Sequence, residues 1–223
     1  MKCPKKCVFL RQNSVEISMQ SIDDKILSNV KKRGRGTIFF AQDMAQYGQR
    51  QSVLKALERM AAAGTIIRLA RGIYCYPKID KELGLGVLYP SLDDIAQAVA
   101  KRDRARIVPT GIYALNVLGL STQVQMNVVY LTDGTARQLK IGNGKGILFK
   151  HTAPKNLAFR SKMAMYVTFA LKELGQNGIT EEHKTRIHEL LKGEEKEKEK
   201  EKVCADAALI PDWIMNIIAQ AYE

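Results

Sequence analysis

The chain has few of the residues that metal and redox chemistry needs. Three histidines and four cysteines are scattered over 223 residues. No CxxC pair occurs. In "CPKKC", Cys3 and Cys7 stand one residue too far apart for the usual zinc knuckle, and no second ligand pair follows. Reduced thiols are the expectation. His183 and His188 are five apart, which splays them on a helix, and "HKTRIHE" is not HExxH. Neither a GxxxxGK[ST] loop nor a GxSxG elbow is present. "GNGKG" at 142–146 is flanked by strand-like text and reads as a hairpin turn. Asp93 and Asp94 adjoin at a helix start, where they serve capping better than metal chemistry. The expectation is no catalytic residue, no metal and no cofactor, hence no enzyme. Aromatic residues make up 7%, which leaves few stacking platforms for a third reading, a single-stranded nucleic-acid binder. No apolar run approaches the roughly 18 residues of a membrane span. "CVFL" is too short for a signal core, so a cytoplasmic protein with no membrane partner is expected.

Positive charge is what the chain has in excess. The net charge is +12, which points to a polyanionic partner. It is unevenly spread. Residues 1–90 carry 16 Lys/Arg against 7 Asp/Glu, and residues 91–160 carry 10 against 4. Residues 161–223 reverse the sign, with 9 against 12. The basic character belongs to the first two thirds.

The predicted fold class is α+β: an N-terminal winged helix-turn-helix, then a mixed α/β domain with a terminal helix. Residues 1–19 lack periodicity and read as a loosely ordered extension. In residues 20–80, Ser21 caps a helix to Arg33, with acidic residues in its first turn and basic ones in its last. "TIFF" is a short strand, "AQDMAQYG" a short helix, and Ser52–Ala63 a stronger helix closed by Gly64. "TIIRLARGIYCYP" is a hairpin with Arg71-Gly72 at its tip. Residues 81–192 form the second domain. Ser91 caps a helix to about Arg102, "ARIVP" and "MNVVYLT" are strands, and Thr110 caps a helix to Gly119. "RQLKIGNGKGILFKHT" is a hairpin turning at Asn143-Gly144, and helices follow from Ser161 and Thr180. Residues 193–202, "GEEKEKEKEK", place like charges at i,i+4 and opposite charges at i,i+3. These largely cancel, so a solvated linker is expected. Residues 203–223 hold a terminal helix from Pro211. Its apolar face, Ile214, Ile217, Ile218 and Ala221, must pack back on the second domain.

On the helix at 52–63, Gln51, Lys55 and Arg59 project within about 80° of each other, opposite Val53, Leu57 and Met60. Such a face suits the major groove: Gln reads adenine, Arg reads guanine, and Lys meets phosphate. Arg50 and Ser52 lie at the helix start, near any phosphate approaching the backbone N–H groups. Arg68 stands between Ile67 and Leu69, so it points away from the face those two bury, and Arg71 forms the tip. The candidate DNA-binding residues are therefore Arg50, Gln51, Ser52, Lys55, Arg59, Arg68 and Arg71. Glu58 lies near the same face and opposes it. The expected partner is double-stranded promoter DNA, with an inverted repeat as its site.

Three segments carry a resemblance: "RLARGIY" at the wing, "PTGIYALNVLGLSTQ" at 109–123 and "VVYLTDG" at 128–134. Over about residues 20–215 the chain resembles the antitoxin and repressor proteins of AbiE-type (type IV) toxin–antitoxin systems of abortive infection. The resemblance implies a winged helix that represses the operon's own promoter. It also implies a second domain that opposes a nucleotidyltransferase toxin without a tight complex. The extension and the Glu/Lys run depart from that pattern. The alternatives are a stand-alone regulator or protein-interaction module with no toxin, and an enzyme domain with no recognised motif. Convergence of Thr110, Asp133 and His151 in one pocket would favour the last.

Overall fold

The computed structural model describes residues 20–80, 82, 84–123, 125–142, 144–192 and 196–222. The extension 1–19 with Cys3 and Cys7, the turn residue Asn143 and linker residues 193–195 lie outside the described residues. Helix α1 (Ile22–Arg33) opens on a reciprocal cap. Ser21 Oγ accepts from the Asp24 amide at 3.2 Å, and the Asp24 carboxylate accepts from the Ser21 amide at 3.3 Å. Strand β1 (Ile38–Phe40), a 3-10 segment (Ala41–Tyr47), α2 (Arg50–Ala62), β2 (Ile67–Ala70) and β3 (Ile73–Cys75) follow. The three strands are antiparallel in the order β1-β3-β2. This is the expected winged helix, with its second helix wound as a 3-10 turn. There the Asp43 carboxylate accepts from the Phe40 amide at 3.1 Å and tightens the entry.

One face of the small sheet meets the helices. Phe39 and Tyr74 stack at 5.9 Å and pack with Ile26, Val30, Val53, Leu57 and Met60. The period of 2 sends Phe40, Leu69, Ile73 and Cys75 to the other face. That face is buried too, against Ile95, Ala96 and Val99 of α3 (Leu92–Asp103). Helix α3 repeats the capping box of α1, through Ser91 and Asp94. A short ribbon, β4 (Lys78–Asp80) with β5 (Gly86–Leu88), lies between the winged helix and α3 in the chain.

The second sheet comprises β6 (Ile107–Thr110), β7 (Asn127–Thr132), β8 (Arg137–Lys140) and β9 (Gly146–His151), in the order β6-β7-β9-β8. Strands β7 and β9 are parallel; β6 and β8 flank them antiparallel. Val128, Tyr130, Ile147 and Phe149 join the same core as α3 and the wing's reverse face. The winged helix and the second domain therefore share a hydrophobic core across the expected boundary at residue 80. The other face of the second sheet meets a helical layer of α4 (Ile112–Val117), α5 (Lys162–Leu174), α6 (Glu181–Leu191), α7 (Lys196–Ala205) and α8 (Asp212–Ala219). Thr110 ends β6 rather than capping α4; Gly111 takes the cap position at φ +66°. Ile214, Ile217, Ile218 and Ala221 are buried in this layer, as their spacing required.

The solvated linker expected at 193–202 is corrected from Lys196 onward, where α7 is helical. Its anchor lies just beyond the charge run. Val203 is buried, and buried Asp206 accepts the Arg160 amide at 2.8 and 2.9 Å and the Ser161 amide at 2.8 Å. Glu199 accepts from Ser161 Oγ, and Lys202 pairs with Glu199 at 3.4 Å. Tertiary contacts at one end supply what the alternating charges lack.

Candidate nucleic-acid interface

Helix α2 presents Gln51, Ser52, Lys55, Glu58 and Arg59 to solvent and buries Val53, Ala56, Leu57 and Met60. Its start differs from those of α1, α3, α5 and α6, each capped by a Ser or Thr side chain. Gln49 makes no such bond, and the first turn holds Arg50 and no acidic residue.

The wing turns tightly at Arg71-Gly72, where Gly72 adopts φ +74°, a conformation that favours glycine. The Gly72 carbonyl accepts from the Ala41 amide at 3.0 Å, tying the wing tip to the end of β1. Arg68 stands opposite Tyr74 in the ladder, so it shares the face that Tyr74 turns toward α2. Burial raises the pKa of the Tyr74 phenol, the charge of Arg68 draws it down, and Glu58 raises it. Arg68 and Glu58 are thus the charges felt at this corner.

Between the wing and α2 lies an open groove of about 780 Å³. Arg50, Arg68 and Arg71 line it, over a floor that includes Phe40, Leu54 and Tyr74. Glu58 is its one acidic lining residue among the described residues. Among the described residues, no carboxylate lies within ion-pair distance of Arg50, Lys55, Arg68 or Arg71. Arg33, Arg59, Arg106, Arg137 and Arg186 all have such a partner. Arg50, Arg68 and Arg71 are thus gathered with Glu58 nearby but not in ion-pair distance, and clustered cationic side chains of this kind favour an anionic partner.

Arg59 stands apart from this group. Its guanidinium is held by Asp23 of α1, with Nη2 at 2.6 Å and Nε at 3.3 Å from the carboxylate oxygens. The helical projection places Arg59 with Gln51 and Lys55. The packing of α1 on α2 brings Asp23 to it, which the projection of one helix does not reveal.

Arg102, at the end of α3, also lines the groove. Its Cζ stands 4.3 Å above the Phe40 ring, and its Nε donates to Asp103 at 2.9 Å. Arg137 binds the other Asp103 oxygen. Burial opposes ionisation of Asp103, but the two arginines outweigh it and hold its carboxyl below the ordinary carboxylate range. In the sequence Arg102 reads only as a basic residue in a helix's last turn. The signal that touches it is the excess of Lys/Arg over 91–160.

The three residues of the enzymatic alternative do not converge. Thr110 stands opposite Val129 of β7, and His151 is in register with Thr132, three residues further along that strand, or about 10 Å. Asp133 accepts from the Arg106 amide at 2.7 Å and its Nε at 2.8 Å, while His151 Nδ1 lies 2.9 Å from the Gly134 carbonyl. His183 closes the cap of α6, and His188 Nε2 lies 3.0 Å from the Ile217 carbonyl. Among the described residues, no cluster of three or more His, Cys, Asp or Glu is placed to hold a metal, and no helix is long and apolar enough to cross a membrane.

No curated protein matches the chain. A family of unknown function, DUF6088, matches residues 25–199, from the first helix of the winged domain into α7. With the match running through both the winged helix and the second sheet, the chain belongs to the DUF6088 family.

Proposed function

We propose that the chain is a duplex-DNA-binding repressor that occupies its own promoter in the cytoplasm. The observation that carries this reading is the groove beside α2, where Arg50, Arg68 and Arg71 meet on a winged helix with no carboxylate among the described residues in ion-pair distance of them. Gln51, Ser52 and Lys55 stand on the exposed side of α2, at its N-terminal end, where base edges and phosphates are read. The wing arginines meet the flanking backbone. The resemblance of residues 20–215 to AbiE-type antitoxins extends the reading. In that extension the second domain opposes a nucleotidyltransferase toxin encoded beside it, through a functional rather than a tight physical partnership.

The test is a gel-shift titration against the gene's upstream region at several salt concentrations. Binding should weaken steeply with salt as counterions are released. No binding at low salt would sink the reading. Co-expression with the neighbouring toxin gene tests antitoxicity, through restored growth. A second reading, a winged helix used as a protein-docking module, is favoured by two acidic features of this face: Glu58 in the groove and Asp23 on Arg59. It predicts no shift with any duplex.

A further inference from the structure

We infer that the DNA-binding surface is composite, with Arg102 of the second domain completing the groove as a phosphate-binding residue beside the wing. The inference rests on the duplex-DNA reading above.

Its basis is placement. The Arg102 guanidinium lies 4.3 Å over Phe40, the last residue of β1. The next residue, Ala41, is tied to Gly72 at the wing tip by a 3.0 Å hydrogen bond. Arg102 and Arg71 therefore border one end of the same small sheet, and both line the groove. Asp103 engages only Nε of Arg102. Among the described residues neither Nη of Arg102 has an acceptor, which leaves the donor pair that suits a phosphate. Arg137 supplies a second cation to Asp103, so that carboxylate orients Arg102 without fully neutralising it. The stacking on Phe40 fixes the guanidinium plane before any ligand arrives. The same α3 carries Ile95, Ala96 and Val99 into the core under the wing. The second domain thus both holds the wing in place and adds a cation beside it.

The experiment measures duplex affinity against salt for the full chain and for three variants: Arg102→Ala, Arg102→Gln and Lys101→Ala. Lys101 is exposed on the same helix and does not line the groove, so it controls for loss of one positive charge. Arg102→Ala should weaken promoter and unrelated duplexes alike, by about tenfold. It should also flatten the slope of log K against log salt by about 0.9, the loss of one phosphate contact. Lys101→Ala should leave that slope nearly unchanged. If Arg102→Ala fails to fold, Arg102→Gln keeps a polar side chain of useful length over Phe40 and decides the question by the same slope. Equal slopes for the wild type and the folded Arg102 variants overturn the composite surface while leaving DNA binding intact. Absence of binding by the wild-type chain overturns the DNA reading itself.

Discussion

Cutting the chain after Asp80 should leave an N-terminal piece that does not fold stably, although residues 20–80 contain every element of a winged helix. The reason is the reverse face of its sheet. Phe40, Leu69 and Ile73 are 5%, 4% and 3% exposed, and Cys75 is fully buried, in the core built with α3 and the second sheet. Returning a buried side chain of the Phe, Leu or Ile class to water costs about 1.5–3 kcal/mol. The three large ones together therefore cost about 5–9 kcal/mol, with an extended unfolded chain as the reference. A whole domain is stable by about 5–15 kcal/mol, and one of some 60 residues sits at the low end. The loss thus consumes most or all of the stability available. The assay is circular dichroism with urea titration on fragment 20–80, beside the intact chain. The fragment should show weak, non-cooperative loss of signal and bind a dye for exposed apolar surface. A cooperative transition with a native-like slope would refute the reasoning and restore the picture of two independent modules. A companion variant, Ile95→Ala in the full chain, removes a fully buried side chain from the shared core. It should cost about 2–5 kcal/mol. The transition seen by Trp213 fluorescence should shift together with the one seen by circular dichroism.

Replacing Arg68 and Arg71 together by alanine should weaken all duplexes and flatten the salt slope by about 1.8, with the melting temperature nearly unchanged; an unaltered slope would remove the wing from the interface. Gly72→Ala forces an L side chain into φ +74° and should cost about 1–2 kcal/mol, read as a lowered urea midpoint. Asp206→Ala strips the acceptor from the Arg160 and Ser161 amides and should cost about 1–3 kcal/mol, with loss of amide-exchange protection across 196–205. Burial pushes the Cys75 thiol up to about 11, so alkylation of the folded chain at pH 8, mapped by mass spectrometry, should label exposed Cys204 and spare Cys75. Because the folded thiol titrates higher than an exposed one, this group's contribution to stability is intact below about pH 9 and declines toward pH 11.

Local rules were legible where the chain obeys them locally. Ser21 and Ser91 announced two helices as caps, and both close in the structure as reciprocal boxes with Asp24 and Asp94. The alternation around Arg68 gave its outward aim, and Arg71-Gly72 gave the turn. What the sequence hid depends on contacts between distant elements. Periodicity marks Phe40 and Leu69 as apolar but does not name α3 as the surface that covers them. The Asp23–Arg59 pair joins positions 36 apart, and Arg102 reaches the groove from a different domain. The alternating charges of "EKEKEK" carry no packing signal, and two residues that hold α7 in place, Val203 and Asp206, come after the charge run.

The wing is made before the helix that covers its back. A ribosome adds about 5–20 residues per second, so the 23 residues from Asp80 to the end of α3 at Asp103 take about 1–5 s. During that interval Phe40, Leu69 and Ile73 have no α3 to cover them, and the segments that carry them remain uncovered apolar chain rather than a settled sheet. Chaperones bind such segments, and neighbouring nascent chains stick to them. The strand partners of the second sheet arrive later still, with β9 ending at His151. The wing therefore reaches its final position only after most of the second domain has been synthesised, and an unfinished chain released early has no settled wing.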